Sequence, residues 1–91
     1  MCQHIFDLRR AQGPGPDTRE DERTSWYRRH DVRSPDAIAA CATAAERARA
    51  DEPRRYATVA RCVERATTLD QALAGCEVRA RLDDPLSDDW F

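Results

Sequence analysis

The sequence predicts a small, helix-dominated α+β domain. An antiparallel helical hairpin over about residues 35–50 and 54–74 is expected to pack beside short strands over about 24–32 and 76–82. Three observations predict it. Apolar residues recur at 3–4 spacing in two neighbouring stretches, first Ile38, Cys41, Ala45 and Ala48, then Val59, Cys62, Ala66, Leu69 and Leu73. Asp51-Glu52-Pro53 punctuates the chain between them. Cys76-Glu77-Val78-Arg79-Ala80-Arg81-Leu82 alternates strictly, Cys, Val, Ala and Leu to one side and Glu, Arg, Arg to the other, as a half-buried strand does. An all-α, three-helix arrangement is the alternative.

Taken in order, Met1 to Arg10 carries a partial period-2 pattern (Cys2, His4, Phe6, Leu8) that fits a short strand, interrupted by Ile5. Gln12-Gly13-Pro14-Gly15-Pro16 reads as a linker, because glycine adds backbone freedom and each proline removes a donor and restricts the residue before it. Asp17 to Arg23 is charged and solvated, so residues 1–23 are expected to be a loosely ordered N-terminal segment and 24–82 the single small domain. The β-formers of Thr24 to Val32 predict a second strand, with Trp26 sealing one end of the hairpin. Ser34 is a good N-cap, Pro35 suits the first helical position and Asp36 complements the positive end of the dipole, so the first hairpin helix is expected to begin there.

Folding back at Asp51 to Pro53 sets Cys41 against Cys62, Ala45 against Val59 and Ala48 against Tyr56. The Ala lining of the first helix allows a close approach. Residues 56–63 also carry enough Tyr, Thr and Val to suit a buried strand. Thr68-Leu69-Asp70-Gln71 matches a capping box and Gly75 a C-terminal stop, so the second helix has an alternative form that breaks at Thr67 and restarts. Pro85 ends any strand, and Asp83 to Phe91 forms an acidic tail closing on two aromatic residues.

A chain of 91 residues with eighteen large apolar or aromatic side chains supports one small core at most. A net charge of −2 repels itself too weakly to enforce disorder. All 15 basic residues are Arg, nearly matched by 17 acidic ones, so bulk charge makes no case for nucleic acid or an anionic membrane. No stretch approaches the ~18 apolar residues of a membrane span, and Met1 to Asp7 lacks a secretory layout. The expected compartment is the cytoplasm. Its four Cys are then expected to be reduced, with Cys41 and Cys62 as a candidate thiol pair.

Chemistry-bearing patterns are sparse. Cys2-Gln3-His4 offers two metal ligands, but His30, Cys41, Cys62 and Cys76 stand singly, so no metal site and no cofactor are assigned. No phosphate loop, nucleophile elbow or paired-ligand helix occurs, so no catalytic residue is assigned and the protein is expected not to be an enzyme.

Arg54, Arg61 and Arg65 share one side of the second helix, because seven and eleven residues are near-integral numbers of turns. Tyr56-Ala57-Thr58-Val59-Ala60-Arg61-Cys62-Val63 faintly resembles the recognition helix of lactose-repressor-type helix-turn-helix proteins, with Asp51-Glu52-Pro53 where those have a small glycine-containing turn. That resemblance implies a DNA-binding regulator as one alternative function, and a thiol or zinc module is another. Asp88-Asp89-Trp90-Phe91 resembles the acidic tip of bacterial single-stranded-DNA-binding proteins, with Trp90 in place of the expected Pro. The resemblance implies docking in basic-rimmed apolar pockets of partner proteins. The favoured expectation is a small accessory or regulatory protein that binds another protein through Asp88, Asp89, Trp90 and Phe91 and through the face carrying Arg54, Arg61 and Arg65. Nucleic acid is disfavoured, a membrane is not expected, and self-association is left open.

Overall fold

The computed structural model describes residues 1–78, and these are helical nearly throughout. Helix α1 spans Cys2–Gln12, α2 Glu20–Asp51 and α3 Pro53–Arg65, followed by a short π-helical turn at Gln71–Gly75. The 32-residue α2 is the spine and accounts for the long 44 Å dimension. Helix α1 runs antiparallel to its first part, since Cys2 is bonded to Cys41 while Arg10 meets Asp31. After the single non-helical residue Glu52, α3 folds back along the other end of α2. The ends of α1 and α3 meet where His4 Nε2–H donates to the Ala66 carbonyl at 2.8 Å.

The hairpin joint falls where the sequence places it. Pro53 opens α3 at a position where its missing N–H costs nothing, and Arg55 pairs with Glu52 across the first turn. Residues 56–63 are helical, with Val59 and Val63 fully buried. The break after Arg65 is also real. Thr68 Oγ1 accepts from the Gln71 N–H, while Gln71 Oε1 reaches back one residue further, to the Thr67 N–H and hydroxyl, instead of closing the box on the Thr68 N–H.

Three expectations are corrected. The first concerns the hairpin's start: α2 runs unbroken through Ser34 and Pro35. The Ser34 hydroxyl donates back to the His30 carbonyl at 2.6 Å, the mid-helix habit of serine, instead of capping. Pro35 leaves the Asp31 carbonyl without its helical donor, and Asp31 is exposed, so water can serve that oxygen.

The second concerns the strands. Residues 24–32 belong to α2, Cys76 and Glu77 form a turn and Val78 is helical; residues 79–82 lie outside the described residues. The third concerns the N-terminus, which is a helix packed into the core, with Cys2, Ile5 and Phe6 buried at i, i+3 and i+4. A helix shows these three to one side together, whereas a strand would turn Ile5 and Phe6 apart.

The core is small. Ile5, Val59, Val63, Val78 and Cys41 are its largest fully buried side chains, with Phe6, Ala37, Ala45, Ala66 and Ala72 around them. Ile38, Leu69 and Leu73 pack against it from half-buried positions. Glycine is required at one position: Gly13 closes α1 at φ +68°, and an added Cβ would lie 2.6 Å from the Tyr27 hydroxyl. No helix among the described residues is long and apolar enough to cross a membrane.

Candidate functional site

The arginine face lies on α3. Arg54, Arg61 and Arg65 are exposed, and at 100° per residue they fall within about 20° of one line down the helix, with Thr58 alongside. Val59, Val63 and Ala66 hold the opposite side in the core, so core packing aims the arginines outward. Arg61 Nε donates weakly to the Ala57 carbonyl at 3.4 Å, and Arg54 and Arg65 have no ion-pair partner among the described residues. Beside this line the chain returns from Ala66 to Cys76 and leaves an open groove of about 590 Å³. Thr58, Arg61, Cys62, Arg65, Gln71 and Cys76 contribute to its walls, and among the described residues none that lines it is acidic.

The cysteines correct the expected pairing. Cys41 is bonded to Cys2 and Cys62 to Cys76, with Cα separations of 6.0 and 5.7 Å, and no free thiol remains. The Cys41 to Cys62 pair does not form, and the thiols are not reduced. Helix geometry supplies the reason. Cys62 lies about 60° and 100° around α3 from Val59 and Val63, which turns it off the seam toward the returning segment, while α1 brings Cys2 over Cys41.

A second cluster, missed in the sequence, joins α1 to α2. The His30 ring stacks on Trp26 with centroids 5.2 Å apart and an interplanar angle of 18°, and Phe6 approaches it at 6.5 Å. The Arg9 guanidinium sits 5.3 Å over Trp26, and that of Arg10 sits 5.2 Å over Tyr27 while bonding Asp31 at 2.9 Å. Burial pulls the Arg9 pKa down, with repulsion from Arg33 adding to it. The Arg10 hydrogen bond holds the Asp31 carboxyl below its usual range.

His30 is buried. Its Nδ1 lies 3.2 Å from Ser34 Oγ, and its Nε2 has no partner among the described residues. The helical signal for this cluster is legible in Trp26, His30, Ser34, Ala37, Cys41 and Ala45, a continuous 3–4 stripe once Ser34 and Pro35 are not taken as a boundary.

Other predicted site residues are not brought together. Asp88, Asp89, Trp90 and Phe91 lie outside the described residues. Cys2 and His4 do not share a ligand set, and among the described residues no group of three or more His, Cys, Asp or Glu is arranged to hold a metal ion. The α2 to α3 connection, one non-helical residue, is shorter than the three- to four-residue turn of helix-turn-helix proteins. Comparison with protein-family models, with curated proteins and with solved structures finds no match to this chain.

Proposed function

We propose that this chain is a small accessory or regulatory protein, without enzymatic activity of its own, that binds another protein. The observation that supports the reading is the exposed line of Arg54, Arg61 and Arg65 beside an open groove with no acidic residue among the described ones that line it. Guanidinium groups in a fixed row suit a partner that presents carboxylates at helical spacing, because each can form a bidentate, charge-assisted pair. The acidic aromatic tail from Asp83 to Phe91 supplies a second contact of opposite sign, in which Trp90 and Phe91 enter an apolar pocket and the acids pair with its rim.

Two closed disulfides persist best where thiols are kept oxidised. The working compartment we propose is therefore an oxidising one, in place of the cytoplasm to which the sequence points. Non-reducing electrophoresis of protein rapidly alkylated in its native host decides between the two.

The binding reading is tested by affinity capture from the native host with three baits: wild type, the triple Arg54→Glu, Arg61→Glu, Arg65→Glu variant, and a chain lacking Trp90 and Phe91. Captured proteins are then purified and titrated singly. A partner whose binding weakens with salt and is lost with the triple variant or the tail deletion supports the reading. Equal binding by all three baits refutes it.

A further inference from the structure

The two cystines occupy different chemical settings. Cys2 and Cys41 are both buried, between α1 and α2. Cys2 borders a hollow that also carries Glu46 and Arg49, whose charges oppose one another. Cys62 is only half-buried, and the Cys62–Cys76 bond borders two hollows. One is the groove of about 590 Å³ with Arg61 and Arg65 in its lining; the other, of about 260 Å³, lies toward Glu77. The larger groove falls in the size range of small-molecule sites. It combines a cystine, two guanidinium groups, the hydroxyl of Thr58 and the amide of Gln71, with no carboxylate among the described residues that line it.

We propose that Cys62–Cys76 is an exchangeable disulfide that reacts with an anionic low-molecular-weight thiol of the glutathione class seated in this groove, while Cys2–Cys41 is a permanent crosslink. The thiol's carboxylates pair with Arg61 and Arg65, which places its sulfur beside the cystine. Its thiolate attacks the Sγ of Cys62, the half-buried residue of the pair, in preference to that of buried Cys76. A new S–S bond forms to Cys62, the Cys62–Cys76 bond breaks, and Cys76 leaves with the electron pair and is protonated from solvent. A second thiolate then attacks the small-molecule sulfur of the mixed disulfide and releases Cys62 as a thiolate. Two small thiols are thereby oxidised to one disulfide, and one protein cystine is reduced to two thiols. The guanidinium groups favour both steps, since they attract the anionic reagent and stabilise thiolate at Cys62.

The fold gives the reaction a confined consequence. Cys76 ties the returning segment to α3, and the next residue, Glu77, is held at φ +54°, a left-handed conformation that is costly for a residue with a side chain. Opening the bond releases this segment and its constraint. Helices α1 and α2 stay joined through Cys2–Cys41.

The reaction needs no protein partner, so it is read on the full chain alone. Folded protein is incubated with millimolar reduced glutathione at neutral pH, quenched with acid, alkylated and mapped by mass spectrometry. The expected result is a glutathione adduct at Cys62 with Cys76 alkylated, formed about tenfold or more faster than any modification of Cys2 or Cys41. The same rates are measured with uncharged 2-mercaptoethanol. The ratio of the glutathione rate to the mercaptoethanol rate should fall about threefold or more in Arg61→Gln/Arg65→Gln, and should fall likewise in wild type as salt is raised. Opening of Cys2–Cys41 first or at the same rate overturns the proposal. A rate ratio insensitive to both the substitutions and salt also overturns it. Because the salt series uses only wild type, the proposal stays refutable even if the double variant does not fold.

Discussion

Replacing Cys2 and Cys41 together by Ala removes the crosslink that closes the longer loop. Alanine is the appropriate replacement, since both positions are buried and a serine hydroxyl there would add a desolvation cost of its own. Loop-closure entropy for a sequence separation of 39 residues corresponds to about 4 kcal/mol at 25 °C, against about 3 kcal/mol for the 14 residues between Cys62 and Cys76. A chain of 91 residues holds about 5–14 kcal/mol in total, so losing the longer bridge removes between a quarter and most of its stability.

The assay is urea unfolding followed by far-UV circular dichroism, wild type against Cys2→Ala/Cys41→Ala and against Cys62→Ala/Cys76→Ala. With a slope of about 1 kcal/mol per molar urea, the first variant's midpoint should fall by about 3–4 M or the chain should be unfolded from the start, and the second should fall less. If the Cys2/Cys41 variant unfolds at or above the midpoint of the Cys62/Cys76 variant, loop length does not govern these bridges, and the place of α1 in the core is overstated.

Gly13→Ala should cost about 1–3 kcal/mol by thermal melting, because the backbone sits at φ +68° and the new methyl meets the Tyr27 hydroxyl; an unchanged midpoint would show that the α1 to α2 connection is not held this way. Val63→Ala should cost about 2–3 kcal/mol in urea unfolding, since Val63 is fully buried in a core with few large side chains; a cost below about 1 kcal/mol would place it outside the core. His30→Phe keeps the stack on Trp26 and removes the unpartnered Nε2, so stability should hold or rise by about 1 kcal/mol, and a comparable loss would reveal a partner for that nitrogen. The Arg10 to Asp31 contact lowers the Asp31 pKa on folding, so its contribution is present above the unfolded value near pH ~3.9 and is lost as pH falls through the lower folded value. Asp31→Asn should therefore melt below wild type at pH 7 and level with it well below pH ~3, and a difference that persists in strong acid would assign the effect to another cause.

The sequence by itself placed the joint at Asp51 to Pro53, favoured a helix over a strand after it with Val59 and Val63 on the core side and the arginine line on the other, and offered the break at Thr67 as an alternative to an unbroken helix over 54–74. Each is a local signal. A proline at the first helical position, 3–4 spacing and a threonine–glutamine cap act within one or two turns, and no distant element is needed to satisfy them.

Tertiary structure alone decided the rest. Ser34 and Pro35 carry the marks of a helix start, yet packing of Phe6 and Trp26 about His30 extends α2 through them, and the serine hydroxyl turns to the carbonyl four residues back. Met1 to Arg10 suits a strand by alternation and is helical because α2 offers a face where Cys2, Ile5 and Phe6 are buried together. The cysteine pairing was beyond local reading for the same reason. Four cysteines admit three connectivities, and the choice rests on α1 lying over Cys41 and on the returning segment lying beside Cys62, contacts between residues 39 and 14 apart that no periodicity within either partner encodes.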